Sequence, residues 1–160
     1  ALDIFTGLPL VFGMVGVVVG GWTMDRLTAR FGERVGRCGL GGAAYGVAAL
    51  CLGIAPFCSD PIAAAVLISI AMAGNTFTLS AAWGTCVDLG GNHAGVVSAI
   101  MNTAGQVGSL LCPLIVAYSL QWFNNWDISV FVMSALFFTG ALCWAFINPA
   151  HRIQLGHSAS

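Results

Sequence analysis

Ile62-Ala63-Ala64-Ala65-Val66-Leu67-Ile68-Ser69-Ile70-Ala71-Met72-Ala73-Gly74-Asn75-Thr76-Phe77-Thr78-Leu79-Ser80-Ala81-Ala82-Trp83-Gly84-Thr85-Cys86 is a run of 25 residues without one charged side chain. Coiled as an α-helix it is about 38 Å long, enough to cross a hydrocarbon layer of about 30 Å. In lipid only helices and closed barrels satisfy every backbone hydrogen bond, and the chain lacks the alternating ten-residue segments of a membrane barrel. The run therefore predicts a transmembrane helix.

Outward from it, four more runs have the same character: 5–22, 38–57, 95–122 and 128–147, beside 62–86 itself. Composition agrees. Apolar residues make up 58% of the chain and charged residues 7%, against roughly 45–50% and about 25% in soluble domains. So few charges cannot solvate a globular surface. The expectation is an all-α integral membrane protein with five transmembrane helices, separated by a charged loop at 23–37, a break at Ser59-Asp60-Pro61, the segment Asp88–His93 and a break at Asn124–Asp127.

Charge placement sets the orientation. Arg26, Arg30, Arg34 and Arg37 lie in the 23–37 loop and Arg152 in the tail. Basic residues mark the cytoplasmic side. Four spans separate the two clusters, an even number, so loop and tail share that side, and the breaks at Asp60 and 124–127 face outward with Pro61, Trp122 and Trp126 at an interface. The opening Ala1-Leu2-Asp3-Ile4 has no basic region, so the first span is retained structure and not a cleaved signal. This topology puts the first residue outside and gives an odd number of spans. Both features lead to the expectation of a fragment, a partial bundle over 1–160 whose earlier helices are missing.

Several function classes are excluded. Net charge is −1 with no cationic face for nucleic acid. Cys38, Cys51, Cys58, Cys86, Cys112 and Cys143 have no metal-type spacing and read as small packing groups. His93, His151 and His157 sit outside the runs with no second ligand nearby. No nucleophile elbow, zinc signature or phosphate loop is present, and Gly39-x-Gly41-x-x-Ala44 follows no strand, so it is no dinucleotide fingerprint. No Asp, Glu, Lys, Arg or His falls in the middle of a span. A membrane-embedded enzyme would need such groups, so no enzyme, catalytic residue, metal or cofactor is expected, and a proton-coupling carboxylate must lie elsewhere.

Two polar stripes remain. Thr76, Ser80 and Trp83 share one helix face, and Ser98, Asn102, Gln106 and Ser109 share another. Amides in a bilayer need partners or water, so the stripes either wall a cavity or glue helices together, and the spacing alone leaves both open. Gly16-x-x-x-Gly20 and Gly42-x-x-x-Gly46 have close-packing spacing. Gly105, Gly108 and Pro113 loosen or kink the fourth helix, either for motion or as a static bend.

Gly21-Trp22-Thr23-Met24-Asp25-Arg26, followed by Arg34 and Arg37, resembles the signature loop of the major facilitator superfamily, with Thr28 where that loop usually has Gly. Ala82-Trp83 through Asp88, His93-Ala94-Gly95, Met101-Asn102-Thr103, Pro113 and Asn148-Pro149 are similar to the last helices of its anion:cation symporter branch. The resemblance implies helices eight to twelve of a twelve-helix transporter, within the C-terminal six-helix bundle. It also implies proton-coupled symport of organic anions, foremost hexuronate, aldarate or aldonate, with phthalate, tartrate or sialate-like acids as alternatives. Ser80, Trp83 and Asn102 match positions lining the substrate site of sugar-acid members, and Gln106 joins them from the stripe. Gly21, Asp25, Arg26, Arg34 and Arg37 form the gating motif, Asp25 engaging a helix N-terminus of the missing N-terminal half. The partners so implied are that half, the lipid bilayer and a small organic anion. The location is the plasma membrane, the inner membrane in bacteria. A truncated, non-transporting remnant is the other reading of a fragment.

Overall fold

The computed structural model describes residues 2–147, and the side chains from Gly7 onward. Among these residues there are five α-helices and no strand: α1 Leu2–Phe31, α2 Leu40–Ile54, α3 Pro61–Gly90, α4 Ala94–Phe123 and α5 Trp126–Phe146. A π-helical turn, Arg34–Gly39, precedes α2, and short 3-10 turns at Ala55–Phe57 and Gly91–His93 follow α2 and α3. Arg152 and Asn148-Pro149 lie outside the described residues.

The turn chemistry is local. Asp60 caps α3, its Oδ1 accepting from the Ile62 amide at 3.0 Å, and Pro61 occupies the first helical position, where its missing N–H costs nothing. Asn124 ends α4 in the left-handed conformation, φ 48°, and Asn125 caps α5 through the Asp127 amide at 2.9 Å.

The expected 23–37 loop is mostly helix. Charges at Asp25, Arg26 and Arg30 end the apolar run but not the helix, because no Gly or Pro lies between Trp22 and Gly32 to break it. Gly32, at φ +85°, stops α1 with its amide on the Thr28 carbonyl at 3.0 Å, and the chain re-enters helix almost at once. Hydropathy marks where a helix leaves the membrane, whereas capping marks where it stops.

By length and composition, four helical segments can cross a membrane: Gly7–Phe31, Arg34–Phe57, Pro61–Phe123 and Trp126–Phe146. The third is 63 residues long, about 95 Å if straight, three times the hydrocarbon thickness. It doubles back at Gly91, φ +47°, into the antiparallel pair α3 and α4.

Helix α3 is the hub, packing on α1, α2 and α4, while α5 packs chiefly on α2. Apart from Met24 and Trp144 the interior is made of small side chains: Ala48, Ala49, Ala55, Ala71 and Ala81 are buried, and the largest side chains wholly removed from solvent are Thr78 and Ser69. Leu, Val and Phe point outward in quantity, as with Leu50 (66% exposed), Leu110 (71%) and Phe146 (87%). A water-soluble fold reverses this arrangement. In lipid the large apolar groups meet acyl chains, and small residues let helices approach.

Gly16 and Gly20 set the α1/α3 seam. A Cβ on Gly16 would sit 2.5 Å from the Ala73 carbonyl oxygen, and one on Gly20 3.0 Å from the Phe77 Cα. Of the second pair, Gly42 lies against Trp144 of α5, but Gly46 has nothing within 4 Å. A hydroxyl crosses each major seam. Ser80 Oγ donates to the Val17 carbonyl at 3.3 Å, Thr78 Oγ1 to that of Gly41 at 3.2 Å, and Ser134 Oγ to that of Ala49 at 2.7 Å.

Candidate functional site

The α3/α4 hairpin carries both polar stripes. Counting from its turn at 1.5 Å per residue, Trp83 and Asn102 lie about 12–14 Å along their helices, and Ser80 and Gln106 about 16–20 Å. The four thus occupy a common slab, between about a quarter and under half of the way from the turn along helices about 45 Å long.

They do not share an environment. Ser80 is turned to α1, its hydroxyl spent on Val17, and its stripe neighbour Thr76 sits against Gly13 and Gly16 with its hydroxyl returned to the Met72 and Ala73 carbonyls. For these two the seam accounts for the polar group. Trp83, one turn on, is 44% exposed.

On α4 the packed face carries Met101, whose sulfur is 3.3 Å from that of Cys86, with Val97 against Gly90 and Ser119 buried further along. At 100° per residue, Asn102, Gln106 and Ser109 stand about a quarter turn from that face. All three are exposed. A third face, with Gly95, Val96, Ile100, Thr103 and Val107, floors an apolar groove of about 610 Å³. Helix α4 therefore presents its amides on a stretch, residues 102–110, that is exposed all round among the described residues, with the apolar surface of Thr103 and Val107 beside them.

The arginine end is built separately. Arg37 Nε lies 2.9 Å from Asp88 Oδ2, both side chains being mostly buried. Arg26 lies over the Trp22 ring, 4.1 Å from its centroid. Asp25 and Arg26 are exposed, and Gly21 has nothing within 4 Å. The close contact of this end is Gly36 on Thr28, where an added Cβ would be 2.5 Å from the Thr28 Cα. Gly36 supplies the bare backbone that this approach to Thr28 needs. Asp88 is the site residue that sequence reasoning passed over. Its signal was a carboxylate at the end of a span, on the same side as the arginines. Among the described residues no group of three or more His, Cys, Asp or Glu is placed to hold a metal.

Such a surface, with exposed amides on an otherwise apolar helix, can hydrogen-bond a polar solute. Two curated relatives bear on it. The chain is 32% identical over 151 residues to a probable sulfoacetate transporter of Cupriavidus necator, covering 92% of the chain and 35% of the relative. It is 25% identical over 108 residues to a probable chloroplastic anion transporter of Arabidopsis thaliana, covering 68% of the chain and 20% of that protein. Both are named as transporters. No family model matches the chain. The chain spans about a third or less of the length of these relatives. Their similarity supports a transporter family, and with the apolar helices it makes this a multi-pass membrane protein.

Proposed function

We propose that the chain is part of a secondary active transporter of small organic anions, of the major facilitator type and its anion:cation symporter branch. In that reading its five helices are the eighth to twelfth of twelve. The similarity to a probable sulfoacetate transporter over 92% of the chain carries this reading. The α4 stripe supports it, since exposed uncharged donors on an otherwise apolar helix suit the oxygens of a carboxylate or sulfonate while the neutralising cation comes from the other half.

In this mechanism Asn102 and Gln106 donate amide N–H bonds to the anion's oxygens or to its hydroxyls, and Trp83 offers an apolar face. No Asp, Glu, Lys, Arg or His lies in mid-span, so in this reading proton coupling belongs to residues beyond this chain. Two bundles then rock about a midplane site, the arginine end on the cytoplasmic side holding one gate through Asp25 and Arg26. The substrate class includes the sugar acids hexuronate, aldarate and aldonate, with short sulfonated acids beside them. The membrane is the plasma membrane.

Uptake of labelled sulfoacetate, glucuronate, glucarate and galactonate into vesicles holding the full-length protein, with and without an inward proton gradient, tests this. Gradient-driven uptake of at least one acid is the expected result. Folded, inserted protein that moves none of them overturns the proposal.

A further inference from the structure

A groove of about 430 Å³ runs between the Arg34–Gly39 turn with the start of α2 and the end of α5, and neither α4 nor the Arg37 and Asp88 side chains line it. Gly39, Gly42 and Ala141 floor it with small groups, and Trp144, only 7% exposed and pressed on Gly41 and Gly42, fixes its wall. Nearly all of the lining is apolar, and the surface around it is too: Val35, Leu142 and Phe146 are all more than half exposed. Set against lipid, these side chains would meet acyl chains.

One end of the groove differs. Arg34 lines it there, exposed, and forms no ion pair within 4.0 Å among the described residues. The neighbouring arginines are engaged or elsewhere. Arg37 is held by Asp88 and Arg26 lies on Trp22. Glu33, next in sequence, is not bridged to Arg34 either. A slot that is apolar along its length and cationic at one end complements an amphiphile of matching polarity. A soluble anion would find one charge and no second donor. A second protein copy would have to bring an acidic group to the same membrane depth.

We infer that the α2/α5 groove is a binding site for an anionic phospholipid, its acyl chain on Gly39, Gly42 and Ala141 and its phosphate at Arg34. The site needs only that the chain be embedded in a membrane with this face against lipid, so it stands whether or not the transport reading does. A guanidinium matches a phosphate's oxygens in a fork, and cationic groups between helices at the cytoplasmic side suit acidic headgroups.

Native mass spectrometry of the full-length protein, titrated with phosphatidylglycerol or phosphatidylcholine, tests it. Phosphatidylglycerol is expected to leave a retained adduct that phosphatidylcholine does not. Arg34→Gln weakens it about fivefold, the contribution of one cation near a membrane surface. Arg34→Lys, which keeps the charge but not the fork, binds between the wild type and Arg34→Gln, and Arg30→Gln, which removes the same charge nearby, leaves it unchanged. Ala141→Leu, which fills the groove without touching charge, also removes the adduct. Equal losses for Arg30→Gln and Arg34→Gln, or equal retention of the two lipids, overturn the proposal. So does an adduct seen only after residues 148–160 are deleted, since the groove's occupant is then the chain's own tail.

Discussion

The guanidinium of Arg37 lies across Gly84 to reach Asp88, Nε to Oδ2 at 2.9 Å, so the π-helical turn before α2 is tied to the last turn of α3. A Cβ at position 84 would fall 2.6 Å from the Arg37 Cζ. The bare backbone at Gly84 is therefore the floor on which the ion pair rests. It joins the α1/α2 connection to the α3/α4 hairpin, two parts that must move as one body if this end closes a gate.

Because both side chains are mostly buried, the pair is worth more than a surface bridge, and losing one partner leaves a charge half-desolvated. Arg37→Ala and Asp88→Ala are each expected to cost about 1–2 kcal/mol. Gly84→Ala reaches the same result from below, by displacing the guanidinium. A double-mutant cycle on unfolding in detergent measures the coupling, and strictly additive single effects would show the pair to be inert.

The α1/α3 seam predicts a contrast between two glycines of equal helical setting. Gly16→Ala is expected to destabilise by about 1–3 kcal/mol, since its methyl would meet the backbone of Ala73, which cannot rotate away. Gly46→Ala meets nothing within 4 Å and gains helix propensity of up to about 1 kcal/mol. Thermal unfolding of the two variants side by side checks the sign as well as the size.

What the sequence made legible follows from which physics is local. The apolar runs located the helices because the bilayer's thickness acts on each segment separately. The same rule misplaced the end of the first helix by nine residues, ending it at Trp22 where α1 continues to Phe31, since charge at Asp25 and Arg26 says nothing about capping. The Gly16 and Gly42 motifs were visible as spacing, yet only the packed structure shows that Gly46 is idle. Helical periodicity put Ser80 and Trp83 on one face but could not tell that this face meets α1. That depends on a neighbour about 60 residues away. Asp88 escaped notice for the same reason, its partner Arg37 being distant in sequence.

Gly36 carries a prediction of its own. Its Cα approaches the Thr28 backbone so closely that a methyl has no room, and shortening Thr28 would not move that backbone. Gly36→Ala is expected to cost about 1–3 kcal/mol. Thr28→Gly in the same chain recovers only part of it, and full recovery would mean that the side chain and not the main chain makes the contact.

The stripes make the sharpest distinction for transport. Ser80 and Asn102 lie at similar depth, but the Ser80 hydroxyl is already used by Val17, whereas Asn102 is exposed on a face that no described element covers. If the anion is held by α4, truncating Asn102 or Gln106 removes a hydrogen bond to a charged group, worth about 1.5–3 kcal/mol. Asn102→Ala and Gln106→Ala should then each lower the uptake kcat/KM by about 10- to 100-fold with unfolding unchanged. Ser80→Ala should do the reverse, leaving uptake within about twofold while lowering stability by about 0.6 kcal/mol, the size of one interhelical hydroxyl bond in a membrane. Measuring uptake and unfolding on the same three preparations separates the roles. Loss of uptake in Ser80→Ala at full stability would move the substrate from the α4 stripe to the α1/α3 seam.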